Sequence, residues 1–288
     1  MAQQSHSSAR TRRVEIRLRP EERFAVPLSD GYSVYSALLS ALESADADAS
    51  ARVHDSQIGS LHTSGLQGVF GDSDRSHHKL ALPNEEYRLS IGITDPEDEA
   101  IFQALVAALV LEGDSIELTN GSLRVDSFES ENSSHQDLLE TAASFDDPSL
   151  EFDFETATCI EEAGSVTTMF PVRTAVFSSL LGKWNRTAPE NLEVDVSRDA
   201  IASSVIEKPD DSSYRTHSVL VNRVEDDDGN PRPIFRQGFS GRCTYAFKDA
   251  SESVENALSA LALFAEYSGV GSAVARGCGN VNIQVVDE

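Results

Sequence analysis

The stretch Tyr267-Ser-Gly-Val-Gly-Ser-Ala-Val-Ala-Arg-Gly-Cys-Gly-Asn-Val281 is the most informative part of this 288-residue chain. Its glycines form two Gly-x-Gly pairs around a short apolar segment, at positions 269, 271, 277 and 279. Glycine suits a backbone that takes positive φ or passes close to another group, because it has no Cβ. Such a loop can present successive N–H groups to phosphate oxygens. Residues 269–279, the glycine loop, therefore predict a ligand site, with a plain helix stop as the alternative.

The segments around the glycine loop predict a compact α+β unit. Residues 251–267 place Val254, Leu258, Leu261 and Phe264 on one helical stripe, and residues 281–286 alternate as a strand does. Earlier strands are predicted at 150–154, 217–224 and 235–247. This half is typical of a ferredoxin-like domain.

The first half repeats that order. A strand at 14–19 precedes a helix from Tyr32 to Leu42, and a second strand at 87–93 precedes a helix at 100–111 and short strands at 115–118 and 122–127. The order β-α-β-α-β is close to a split ferredoxin-like unit. We expect an α+β protein with two tandem ferredoxin-like (RRM-like) domains. The predicted divisions are a disordered tail at 1–12, an N-terminal domain at 13–127, an acidic linker at 128–149 and a C-terminal domain at 150–288.

Composition limits the possible settings of the protein. The net charge is −25, with four lysines against 19 arginines, which is typical of a halophilic protein of a high-salt cytoplasm. Acidity then says little about partners, although phosphate contacts would need arginines gathered on one face. The N-terminus lacks the apolar core of a secretory signal, and no apolar run is long enough to span a membrane. The three scattered cysteines fit neither a disulfide framework nor a metal site, so we expect a cytoplasmic location.

Three sequence segments resemble the Cas6 family of CRISPR-associated endoribonucleases, in its haloarchaeal type from type I systems. Gly238-Phe-Ser-Gly241, with Ala262-Leu-Phe-Ala-Glu-Tyr-Ser-Gly-Val-Gly271 and Gly277-Cys-Gly279, resembles the family's hairpin and glycine loop. Tyr32-Ser-Val-Tyr35 is similar to its first helix. Val53-His54 and Leu61-His-Thr-Ser64-Gly-Leu66 are similar to the segment that follows that helix.

The resemblance implies a nuclease that processes CRISPR repeat RNA without a metal or other cofactor. The ribose 2′-OH attacks the adjacent phosphate and leaves a 2′,3′-cyclic phosphate and a 5′-OH. His54 stands at the family's histidine position and is our candidate general base or acid, with His62 as a possible substitute. Tyr32 and Tyr35 are candidates to orient the ribose or phosphate, with helix packing as the equal alternative for Tyr32 and the preferred role for Tyr35. Ser64 matches the family's serine, whose hydroxyl would bond a phosphate or cap a following turn.

The resemblance also implies an RNA interface and partners. The expected RNA contacts are Gly269, Gly271, Arg276, Gly277, Gly279 and the hairpin residues Arg236 and Arg242. Partners would be the repeat RNA, its crRNA product and other Cas proteins, with no membrane. The lysine that some family members place between His54 and Ser64 is absent, and the cations at Arg75-Ser-His77-His78-Lys79 predict either an RNA-contacting or a solvated loop.

Two other functions remain open from the sequence. One is a non-catalytic crRNA-binding subunit of the same fold, and the other is an unrelated tandem α+β protein whose glycine loop binds a small anion. P-loop, dinucleotide-binding, zinc-protease and serine-hydrolase motifs are absent from the sequence.

Overall fold

The computed structural model describes residues 10–55, 61–95, 98–111, 113–164, 166–225 and 229–287. The N-terminal half contains β1 (Arg10–Pro20), β2 (Phe24–Pro27), α1 (Gly31–Ala45), α2 (Ala47–Asp55), β3 (Leu61–Thr63), β4 (Gly71–Asp72), β5 (His78–Ala81), β6 (Tyr87–Ile93), α3 (Asp98–Val106), a π-helical turn (Ala107–Leu111), β7 (Ser115–Leu118) and β8 (Gly121–Ser134).

The C-terminal half follows directly. It contains α4 (His135–Ala142), β9 (Pro148–Thr158), β10 (Ile160–Ala163), β11 (Val166–Thr168), α5 (Arg173–Thr187), a 3₁₀ turn (Glu190–Leu192), α6 (Arg198–Ser204), β12 (Val205–Pro209), β13 (Arg215–Glu225), β14 (Pro231–Phe247), α7 (Glu252–Ser268), a 3₁₀ turn (Val274–Arg276) and β15 (Val281–Asp287).

The N-terminal sheet has the strand order β3-β6-β1-β8-β7. Its central strand β1 pairs antiparallel with β6 and β8, so that Val14 lies between Ile91 and Ser130. The alternation of β1 buries Val14, Ile16 and Leu18 completely. These side chains form one core with the apolar faces of α1 and α3.

The C-terminal sheet repeats this arrangement with the order β12-β14-β9-β15, and β13 adds to β14 as a long hairpin. Phe152 and Phe154 point from β9 into a core that also contains Trp184 of α5 and Phe264 of α7. In the N-terminal sheet β1 lies between β6 and β8, and in the C-terminal sheet β9 lies between β14 and β15 in the same way. The two tandem ferredoxin-like domains predicted from the sequence are confirmed.

The segment at 128–149 is not the irregular linker that its composition predicted. Residues 127–134 continue β8 and pair with residues 10–17 of β1, which also draws residues 10–12 of the predicted tail into the sheet. Ser134 and Asp137 then form a capping box that begins α4. Leu138 packs in the C-terminal core, so a few buried positions outweigh a polar composition. Residues 1–9 of the predicted tail lie outside the described residues.

The two halves pack against each other near the end of α7. This helix contacts β1 and β6 of the N-terminal sheet, and the 3₁₀ turn that follows it contacts α1 and β3. An ion pair of 3.4 Å joins Arg13 of β1 to Glu266 of α7. The packing places the glycine loop in the cleft between the halves. Within the described residues, the helices are all too short or too polar to cross a membrane.

Candidate functional site

The glycine loop is shaped by close approaches that leave no room for side chains. Gly269 and Gly279 both have positive φ, of 61° and 71°. A Cβ on Gly279 would lie 2.0 Å from the carbonyl oxygen of Val270, and one on Gly269 would lie 2.7 Å from the His62 ring. The glycines therefore fold the loop onto itself and onto β3 of the other half.

The amide groups of these glycines are already bonded within the protein. Gly269 donates to the Ala265 carbonyl, Gly271 to Ser179 Oγ and Gly279 to the Ala157 carbonyl. These three N–H groups are therefore not free to bind phosphate oxygens in the way the sequence predicted. The glycines instead set the course of the chain, and an anion would meet the side chains that the loop presents.

A cavity of about 670 Å³, the His54 cavity, lies beside the loop in the cleft. Its walls come from both halves: α1 and α2 on one side, α5, β10 and residues 271–276 on the other. His54 and Arg276 both line it. The structure thus brings together a histidine and a glycine-loop cation that are more than 200 residues apart in sequence.

The surroundings of His54 leave its imidazole accessible. It lies in the last turn of α2, and 69% of its side chain is exposed. Its Nδ1 is 2.9 Å from Asp55 Oδ1. In the tautomer that carries the proton on Nδ1, this nitrogen donates a hydrogen bond to Asp55 Oδ1, and Nε2 keeps its lone pair. An imidazole with an oriented, unoccupied nitrogen can accept a proton from a bound hydroxyl.

His62 lies in a different environment and does not line this cavity. It is buried in β3 under Gly269, and both ring nitrogens lack hydrogen-bond partners. Burial lowers the pKa of His62 to about 3, and the charges of Lys183 and Arg13 act in the same direction. A neutral, enclosed imidazole of this kind is poorly suited to replace His54.

Tyr35, rather than Tyr32, lines the His54 cavity. The guanidinium of Arg276 lies 5.8 Å from the centre of the Tyr35 ring. Burial raises the pKa of Tyr35, an effect that Arg276 opposes and Asp55 reinforces. Tyr32 instead lines a cavity of about 740 Å³ between α1 and the β13–β14 hairpin. Helical spacing alone did not distinguish these two faces of α1.

Ser64 is buried and has an internal role. Its hydroxyl donates to the Gly65 carbonyl at 2.7 Å and accepts from the Ser90 amide at 2.9 Å. These bonds tie the chain after β3 to β6. Together with Gly277 and Arg276, Ser64 lines a further cavity of about 390 Å³ on the other side of the loop.

The cations of the hairpin and of the 75–79 segment are largely neutralised by carboxylates. Arg236 pairs with Glu161, and Arg242 lies 2.7 Å from Asp210. Lys79 lies 2.8 Å from the buried Asp30 and 3.7 Å from the Phe70 ring centre. The acidic composition thus places carboxylates beside several of the predicted RNA contacts.

Helix α5 supplies site residues that the sequence did not single out. Lys183 is buried at the back of the His54 cavity, and its ammonium donates to the carbonyls of Ser268 and Gly269 at 2.9 and 2.8 Å. Arg186 and Arg198 also line the cavity. One signal was available: Lys183 is one of only four lysines and lies in an apolar segment.

Groups of three or more metal-ligating His, Cys, Asp or Glu side chains are not found within the described part of the chain.

Comparison with known proteins agrees with this architecture. Residues 152–281 match the family model for the CRISPR-associated endoribonuclease Cas6. None of the curated protein sequences matches the chain. A Cas6 protein of Thermus thermophilus is 17% identical with a TM-score of 0.66, covering 96% of this chain and 100% of that one.

Two further solved structures show the same likeness. A Cas6 product complex is 18% identical with a TM-score of 0.68, covering 96% of this chain and 100% of the other. A protein described as Cas6-related from Pyrococcus furiosus is 13% identical with a TM-score of 0.61, covering 95% and 98%. At these identities the likeness establishes the shared fold.

Proposed function

We propose that this chain is a Cas6-family endoribonuclease that cuts CRISPR repeat RNA in the His54 cavity by a metal-independent reaction. The match of residues 152–281 to the Cas6 family model and the shared fold support this assignment. The observation that carries the proposal is the shared cavity, which both His54 of one half and Arg276 of the other half line. A solved Cas6 product complex has the same fold. We further propose a cytoplasmic location, where repeat transcripts are made.

The reaction is an internal transesterification. The 2′-oxygen attacks the adjacent phosphorus, the bond from phosphorus to the 5′-oxygen breaks, and the products carry a 2′,3′-cyclic phosphate and a 5′-OH. The proton lost from the 2′-OH is balanced by one gained by the leaving 5′-oxygen. His54 takes part in this transfer, a role that contributes about 10²–10⁴-fold to rate.

Arg276 supplies positive charge to the phosphate from the glycine loop. Its guanidinium can donate two parallel hydrogen bonds to phosphate oxygens. The loop holds the Arg276 guanidinium beside Tyr35. The tyrosine hydroxyl can donate a hydrogen bond to the ribose or phosphate in this cavity. The fixed main-chain bonds of the glycines keep the Arg276 side chain in place.

The test is cleavage of the cognate repeat RNA in EDTA, with analysis of both new ends. We expect a fragment with a cyclic phosphate and a fragment whose 5′-OH can be phosphorylated by a kinase. A 2′-deoxy substitution at the scissile nucleotide should abolish cleavage and preserve binding. Binding without cleavage of the all-ribose RNA would favour a crRNA-binding subunit, and preference for a phosphorylated metabolite over RNA would favour a small-anion site.

A further inference from the structure

Helix α5 presents polar side chains to the His54 cavity, and three of them lie at i, i+4, i+7 spacing, namely Ser179, Lys183 and Arg186. The first two are bonded to the glycine loop, since Ser179 Oγ accepts from the Gly271 amide and Lys183 donates to the carbonyls of Ser268 and Gly269. Arg186 is exposed and makes neither of these connections. One face of α5 thus fixes the loop and leaves a guanidinium at the cavity.

Among the described residues that line the cavity, basic side chains outnumber carboxylates. In the described part of the chain, the carboxylates that line it are Glu161 and Glu162, which pair with Arg236 and, at 4.0 Å, with Arg198. Among the described residues, no carboxylate forms an ion pair with Arg186 or Arg276. A protein of net charge −25 therefore leaves two uncompensated guanidinium groups on one cavity, which favours an anionic ligand there.

The conformation of Arg186 suits phosphate. Its Nε donates to the Gly182 carbonyl at 2.7 Å, one turn earlier in its own helix. This bond anchors the planar group and leaves both terminal nitrogens as donors, the fork that matches two phosphate oxygens. Arg186 also lies close enough to Lys183 to add to the effect of burial, which lowers the pKa of Lys183 to about 7. A bound phosphate would relieve this repulsion.

We propose that Arg186 is a catalytic residue that contacts the scissile phosphate and stabilises the charge gained by its equatorial oxygens as the 2′-oxygen attacks. The inference rests on the proposed nuclease function. Arg186 exchanges no proton in this step, because a guanidinium stays protonated throughout the working pH range.

The experiment compares single-turnover cleavage of repeat RNA at saturating protein by wild type, Arg186→Gln, Arg186→Lys and the control Arg23→Gln. Arg23 is exposed and lines none of the cavities described above. Removing one preorganised donor from a transition-state charge lowers rates by about 10²-fold, and a lesser loss is expected at an open site. We therefore expect Arg186→Gln to lose about tenfold to 10²-fold in rate, Arg186→Lys to recover part of it, and Arg23→Gln to match wild type.

Binding of the 2′-deoxy repeat RNA, measured in parallel, shows that each variant is folded and saturated. Cleavage by Arg186→Gln within twofold of wild type would overturn the inference, even with weaker binding, provided that His54→Ala is inactive. If wild-type protein itself binds repeat RNA and leaves it intact, the proposed function fails, and the role of Arg186 fails with it.

Discussion

The end of α2 and the glycine loop form two sides of one cavity, and they are built in opposite ways. His54 is largely exposed and is held by a single contact to Asp55. The glycine loop is packed so closely that a Cβ at Gly279 would meet a backbone atom, and the amides of Gly269, Gly271 and Gly279 are bonded internally. Under the proposed function, the rigid side positions a cation, and the open side provides the group that transfers the proton.

Removing the imidazole of His54 should give the largest effect. We expect His54→Ala to lower the single-turnover rate by about 10²–10⁴-fold, because the 2′-OH loses its proton acceptor. Binding of 2′-deoxy repeat RNA should change little, since the side chain is uncharged in its basic form. Asp48→Asn is the matched control, as it changes an exposed group on the same helix away from the cavity. A His54→Ala enzyme with wild-type rate would contradict the role of the open side.

Adding one methyl group should disrupt the rigid side. Gly279→Ala combines a clash with the Val270 carbonyl and strain at positive φ, so we expect it to lower the free energy of unfolding by about 3 kcal/mol. Gly164→Ala separates the two causes, because Gly164 has a φ of 59° and nothing within 4 Å of its Cβ position. The control should cost only about 1 kcal/mol. Equal losses in denaturant unfolding would mean that close packing of the loop is unimportant.

Acid should reveal the difference between the two histidines. The pKa of His62 is lowered from 6.5 to about 3 in the folded protein, so between these values the unfolded chain binds a proton that the native state excludes. Stability from this group is therefore complete above pH 6.5 and falls as the pH drops toward 3. We expect His62→Leu to flatten the pH dependence of denaturant unfolding in this window. His135, whose pKa burial lowers to about 4, should leave some residual acid sensitivity.

His62→Leu should also retain cleavage at pH 7, where the folded variant keeps His54 and both arginines of the cavity. Loss of cleavage by a variant shown to be folded would return His62 to the list of candidates for proton transfer.

The smallest effect is expected from the tyrosine hydroxyls. Tyr35→Phe should slow cleavage by a few fold at most, roughly 1 kcal/mol or less for one neutral hydrogen bond. Tyr32→Phe should leave the rate unchanged, since Tyr32 lies on another cavity. The reverse order of effects in single-turnover assays would place the scissile phosphate on the hairpin side of α1.

Much of the fold followed from local pattern. The apolar alternation of β1 and β9 and the stripes of α1 and α7 predicted both ferredoxin-like units, because burial of one face is written into residue spacing. Local pattern gave a wrong prediction for residues 128–149. Its Ser, Glu and Asp residues predict a loop, but partners in β1 more than 100 residues away make residues 128–134 a strand. The capping box of Ser134 and Asp137 and the burial of Leu138 then give the helix α4.

For the site, the sequence by itself singled out His54 and the glycine loop, through spacing and family resemblance. Only the tertiary structure decided that both line one cavity, that Tyr35 rather than Tyr32 joins them, and that α5 contributes Lys183 and Arg186. The physical reason is that burial and hydrogen-bond partners depend on contacts across the cleft. Lys183 meets its two acceptors about 85 residues further along the chain, a distance at which local pattern carries no information.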